Sequence, residues 1–180
     1  EKLKAKRLSK NDFNRQQERG ALALAEFLPQ WWHNFTPDAE TERSFKHEGS
    51  FVGEAHLSGN IDQLLVDTDA KSIRVVDYKT GKSHARWTHD VKMHKYKQQL
   101  LFYKLLVESS HSYKGYDVEQ GSLVFVEPDE NGKVNELSLP YKTEDLDRAK
   151  KLIAAIWQRI KTLDFPDTSG YSRDLKGIEA

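Results

Sequence analysis

The 180-residue chain contains no cysteine and a single methionine. Without thiols it forms no disulfide, no cysteine-ligated zinc site, no iron–sulfur cluster and no thiol nucleophile. No apolar run approaches the roughly 20 residues that span a bilayer, and no basic-then-apolar leader opens the chain. No membrane contact is expected, and a cytoplasmic setting fits. The phosphate-cradling patterns G-x-x-x-x-G-K-[ST] and G-x-G-x-x-G are missing, so this stretch holds no nucleotide-binding loop. No serine sits in a nucleophile elbow. The chain opens on Glu1 instead of methionine, as expected of a piece of a longer polypeptide.

What is present is charge and aromatic bulk. Lys plus Arg and Asp plus Glu number 28 each, so the formal net charge is zero. Four Trp, seven Tyr and eight Phe argue against disorder and suffice for the core of one domain. The charges are unevenly placed. Between Lys79 and Lys104 the basic residues Lys79, Lys82, Arg86, Lys92, Lys95, Lys97 and Lys104 face one acid, Asp90. A local field of this sign attracts polyanions even where the total cancels.

Residues 1–10 read as a basic arm or linker, 11–166 as the domain, and 167–180 as a polar tail. A helix starts near Ser9 or Asn11 and runs to about Leu28, where Pro29 should end or kink it. Trp31, Trp32 and Phe35 follow as lids on the core. Thr41–His47 reads as a strand. Phe51 to Val66 reads as a second strand, and Ser72–Lys79 as a third after a turn at Thr68–Lys71. Lys92–Glu108 is helical, with Tyr96, Leu100, Tyr103 and Val107 spaced for one face. Leu123–Glu127 and Val134–Leu139 are short strands. Thr143 is the expected N-cap of a last helix to about Leu163. The order predicts an α/β domain with a mixed central sheet flanked by helices.

One pair of strands carries chemistry. Ile73, Val75, Asp77 and Lys79 alternate, so they share a face. On the preceding strand Asp62, Leu64 and Val66 share one too. A tight turn at Thr68–Lys71 sets a register in which Leu64 lies opposite Val75 and Asp62 opposite Asp77. Opposed side chains sit roughly 4.5–5.5 Å apart at Cβ. Two carboxylates that close repel unless a cation lies between them, and hard oxygen donors suit Mg²⁺ or Mn²⁺. Lys79 adds an ammonium that can stabilise negative charge developing on a phosphate. Gln99 and Tyr103, four apart, project from one side of the following helix.

Gly59-Asn60-Ile61-Asp62, then Val75-Val76-Asp77-Tyr78-Lys79-Thr80-Gly81, then Gln99-Leu100-Leu101-Phe102-Tyr103 together resemble the RecB-like branch of the PD-(D/E)XK nuclease superfamily. That branch shows a G-x-x-D element, a D-x-K element followed by Thr-Gly, and a Q-x-x-x-Y helix, in this order and spacing. The resemblance implies a restriction-endonuclease-like αβββαβ core. It implies Asp62 and Asp77 as ligands of Mg²⁺ or Mn²⁺, with the Tyr78 carbonyl as a further ligand. Lys79 would be the catalytic lysine, supported by Gln99 and Tyr103. Lys82, Arg86, Lys92, Lys95 and Lys97 would contact DNA, expected as a single strand. The Phe51–Leu65 and Leu123–Pro128 stretches resemble the nuclease domain at the C-terminus of UvrD/Rep-like helicases. The expectation is therefore a metal-dependent DNA nuclease domain joined to helicase domains in the same polypeptide and serving repair or recombination. Some members of the branch carry an iron–sulfur cluster, which the absence of cysteine excludes here. Family members often carry His four residues after a Gly on the first helix, whereas here Leu24 follows Gly20. That departure motivates an alternative: a nuclease fold without catalysis that binds DNA or docks a partner.

Overall fold

The structure, a computed structural model, describes residues 9–165 together with Asp167, Ser169, Gly170, Ser172 and Asp174. Most of the expected arm and tail lie outside the described residues. Helix α1 spans Lys10–Trp31, and a single 3-10 turn Trp32–Asn34 follows. Strands β1 (Ala39–Ser44), β2 (Ser50–Val52), β3 (Ala55–Leu57), β4 (Asn60–Asp67) and β5 (Ser72–Lys79) lead to helix α2 (Val91–Glu108). Strands β6 (Asp117–Phe125) and β7 (Glu136–Pro140) and helix α3 (Thr143–Thr162) complete the order. The main sheet runs β1-β4-β5-β6-β7. Its pairs are antiparallel except β5 with β6, which are parallel and joined through α2. This is the expected mixed sheet flanked by helices.

β5 lies at the centre of the sheet and is buried on both faces. Ile73, Val75 and Val76 are almost wholly enclosed, and each such side chain contributes about 1.5–3 kcal/mol by leaving water. One face joins Leu64, Val75, Leu100 and Leu106 in the main core beneath α2. The other packs Val76 and Val124 against Phe27 and Trp31 of α1.

Several boundaries differ from the sequence reading. The expected Phe51–Val66 strand is broken: Gly53, at φ +58°, turns the chain into a separate β2–β3 hairpin before β4 begins. β1 starts at Ala39, ahead of the expected Thr41. Pro29 does not end α1. Ser9 caps that helix by accepting the Asp12 N–H, and the last turn continues because Phe27 and Trp31 are anchored in the core. Trp31 is the core ring. Trp32 is 68% exposed, and Phe35, also exposed, sets its ring edge-on against Phe27 at the border of the core. Thr143 is the first residue of α3 and not its cap, and Lys142, at the cap position, supplies no side-chain hydrogen bond.

The seating of α2 is set by a glycine. A Cβ on Gly121 of β6 would collide with the Tyr141 hydroxyl and would reach 3.2 Å from Leu100 Cβ on α2. That hydroxyl donates to the Leu100 carbonyl at 3.1 Å. Gly121 therefore lets helix, strand and tyrosine meet without a gap. We expect Gly121→Ala to cost about 1–3 kcal/mol by overpacking. Tyr141→Phe should recover part of that loss in the double variant, although alone it removes a hydrogen bond. Chemical denaturation of the four chains measures the coupling, and strict additivity would contradict the contact.

Candidate active site

The β4–β5 register matches the sequence reading: Leu64 lies opposite Val75 and Gln63 opposite Val76. The ladder stops there. One rung further stand Asp62 and Asp77, on the face shared with Leu64 and Val75. In place of a ladder bond, the Tyr78 N–H donates to Asp62 Oδ2 at 2.8 Å. The side chain of Asp62 thus replaces a backbone acceptor and is fixed in direction.

Asp77 is only 3% exposed. Its Oδ2 lies 2.6 Å from Lys79 Nζ in an ion pair, and its Oδ1 accepts from the Tyr103 hydroxyl at 3.3 Å. Lys79 Nζ also donates to Gln99 Oε1 at 2.7 Å. Gln99 Nε2 donates to the Tyr103 oxygen at 2.9 Å, closing a ring from strand to helix and back. The ammonium sits 4.6 Å from the centre of the Tyr96 ring, a cation–π contact. Asp62, Asp77, Lys79, Gln99 and Tyr103 are all brought together on the α2 face of the sheet.

The electrostatics follow from crowding. Burial pushes the Asp77 carboxyl above the ordinary carboxylate value, Lys79 pulls it back, and the charge of Asp62 pushes it up again. Burial and then the charge of Asp77 raise the Tyr103 phenol, so it stays a neutral donor. Asp62 and Asp77 supply hard carboxylate oxygens, and the strain between two like charges is the kind a divalent cation relieves. The two carboxylates have the donor chemistry that suits a hard divalent cation.

The back of β5 is held as firmly. Trp31 Nε1 donates to the Tyr78 hydroxyl at 3.0 Å, which donates to Gln63 Oε1 at 2.5 Å. Gln63 Nε2 donates in turn to the Asn34 carbonyl at 3.0 Å. Tyr78 thus has its N–H tied to one carboxylate and its side chain tied to α1. Beyond Lys79, Arg19 grips Glu127 through two hydrogen bonds of 2.9 and 2.6 Å. Glu127 also accepts the Gly81 N–H at 2.6 Å. Sequence reading missed Trp31, Gln63, Arg19 and Glu127 as supports of the site. Their partners lie 15 to 108 residues away, and no spacing rule signals such pairs.

Of the basic stretch, Lys82, Arg86, Lys92 and Lys95 are exposed and Lys97 is half-buried over the Trp87 ring. Lys104 is different. It is buried and bound to Glu108, Asp117 and the Val118 carbonyl, so it braces α2 against β6 and offers no charge to a ligand. Leu24 is 50% exposed on the outer side of α1. The buried positions of that helix are Ala23, Phe27 and Trp31. Among the described residues no group of three His, Cys, Asp or Glu is placed to hold a metal.

A raised native pKa for Asp77 means the folded chain binds this proton more readily than the unfolded chain does. Its carboxylate therefore costs stability at neutral pH, and the cost is relieved as pH falls through the raised value. In metal-free buffer, the melting-temperature advantage of Asp77→Asn over the parent should shrink as pH falls through the acidic range. A pH-independent difference in calorimetry would contradict this.

A search of the curated proteins finds no match to the chain. A family model described as the PD-(D/E)XK nuclease superfamily matches residues 1–172. The mixed five-stranded sheet between helices is the restriction-endonuclease-like arrangement that this family implies. The acids and lysine of the α2 face lie within the matched span. The chain belongs to the PD-(D/E)XK nuclease superfamily.

Proposed function

We propose that this chain is a Mg²⁺- or Mn²⁺-dependent nuclease domain that hydrolyses phosphodiester bonds of DNA. The observation that carries the reading is the convergence of Asp62, Asp77, Lys79, Gln99 and Tyr103 on one face, with Lys79 bonded to both Asp77 and Gln99. Asp62, Asp77 and the Tyr78 carbonyl would hold the cation. When bound, a divalent cation supplies positive charge at the scissile phosphate and acidifies water. The chain's own part is positional and electrostatic. Asp62 is aimed by the Tyr78 N–H, Asp77 by Tyr103, and the Lys79 ammonium by Gln99 and Tyr96. Lys79 then neutralises charge developing on the phosphate oxygens. Lys82, Arg86, Lys92, Lys95 and Lys97 steer the phosphate backbone toward it. The RecB-like motif order further supports a place beside helicase domains of the same polypeptide, in DNA repair or recombination, in the cytoplasm.

A second reading is favoured by one observation. Leu24 faces outward, and among the described residues no third His, Cys, Asp or Glu joins the two acids. On that reading the fold binds DNA or docks a partner without cutting.

Cleavage of labelled single- and double-stranded DNA with Mn²⁺ separates the two readings. We expect the parent chain to cut. Asp77→Asn should abolish both cutting and Mn²⁺ binding by calorimetry while leaving the circular dichroism unchanged. Lys79→Ala should lower kcat by about 10²–10³, the loss typical of a transition-state charge stabiliser, and should retain Mn²⁺ binding. A parent chain that binds DNA without cutting establishes the second reading. Undiminished cutting by Asp77→Asn refutes the site.

A further inference from the structure

α2, α3 and the β2–β3 hairpin enclose a cleft of about 970 Å³. Its walls include Tyr96, Gln99 and Phe102 of α2, His56 of the hairpin, and Ile156 and Trp157 of α3. α3 has no fully buried residue, and its Leu152, Ile156 and Ile160 remain 45–50% exposed along one stripe. The rim is cationic. Lys95, Lys97 and Arg148 line it against a single acid, Asp145. The cleft is continuous with the site just described, because Gln99 lines it while bonding Lys79 and Tyr103.

We propose that this cleft receives the unpaired bases of a single DNA strand, whose backbone runs along the Lys95–Lys97–Arg148 rim into the Asp77–Lys79 site. The inference rests on the nuclease reading and names its substrate class. An apolar floor carrying Tyr96, Phe102 and Trp157, edged by cations, matches a strand whose bases stack inward and whose phosphates face outward. A duplex offers such a cleft only phosphates and groove edges, and leaves the floor unfilled. An acidic amphipathic helix would meet the same rim. It would, however, cover Gln99 and Tyr96 and lie across the approach to Lys79, whereas a strand follows that approach.

The test is binding of a fluorescein-labelled oligo-dT of about 12 nucleotides, and of its duplex with oligo-dA, to the whole chain in EDTA, followed by anisotropy against salt. The parent should favour the single strand. Lys95→Glu with Arg148→Glu should weaken single-strand binding at least tenfold and lower the salt slope by more than about 1, since each phosphate contact on a single strand contributes roughly 0.7. Ile156→Asp should weaken it too, with little effect on the duplex. Lys150→Glu with Lys151→Glu, the same charge change at exposed α3 positions outside the cleft, is the control and should leave affinity within about twofold. Equal loss in this control, no loss in the cleft variants, or equal affinity for duplex and strand overturns the proposal. No loss in the cleft variants is also what a protein occupant would give. Because binding is read without metal, a parent chain that fails to cut with Mn²⁺ refutes the nuclease reading separately from the strand cleft.

Discussion

The rest of this structure is arranged around a charge pair that water cannot help. Asp77 is almost fully enclosed, stands opposite a second carboxylate, and is balanced by the ammonium of Lys79 at 2.6 Å. A buried carboxylate without such a partner is costly. The partner sits two residues along the same strand, so the pair exists only while β5 stays extended. β5 stays extended because it is the central strand, hydrogen-bonded to β4 on one side and to β6 on the other. α2 must then cross close enough for Gln99 and Tyr103 to reach the charges. Gly121 permits that approach by leaving no Cβ between β6 and α2.

Alternation along β5 separates two jobs. The odd-numbered residues Asp77 and Lys79 face α2 and carry the polar ring. The even-numbered Val76 and Tyr78 face α1 and carry the anchor, through the Trp31–Tyr78–Gln63–Asn34 chain of hydrogen bonds. The two jobs meet at the Tyr78 peptide, whose N–H orients Asp62. A displacement of α1 would therefore be felt by a carboxylate on the opposite face, without any contact between them. The Arg19–Glu127–Gly81 bridge acts on the same strand from its far end, fixing the turn after Lys79.

How much of this was legible depends on the range of the signal. The β4–β5 hairpin could be read to the residue, because a short turn and period-two alternation leave one register that buries Leu64 and Val75 together. The common side of Gln99 and Tyr103 was legible from the four-residue helical repeat, and the motif order placed both as supports of Lys79. The β2–β3 hairpin was not, because Gly53 and Glu54 lie inside what looks like one continuous strand and only a positive φ marks the reversal. Trp31 and Trp32 are adjacent in sequence and similar in chemistry. Only the phase of α1 against Val76 and Val124 decides that one is core and the other exposed. Lys104 looked like one more cation in a basic run. Its burial against Glu108 and Asp117 depends on a helix–strand contact that no local pattern encodes.

On the proposed reading, the formal charges of the site account for a need for both a cation and an anion. Asp62 and Asp77 bring two negative charges and Lys79 returns one positive, which leaves one negative charge unbalanced in a region largely shut off from water. Tyr103 cannot correct this, since its phenol is held neutral by burial and by Asp77 itself. On the proposed reading a divalent cation reverses the imbalance to one positive charge, and a single phosphodiester anion cancels it. Neither partner alone leaves the site neutral. The surrounding lysines add field outside the enclosed region, where solvent and salt screen them. They can gather a polyanion and align it, but the choice of a phosphodiester at the reacting position rests on the enclosed charges.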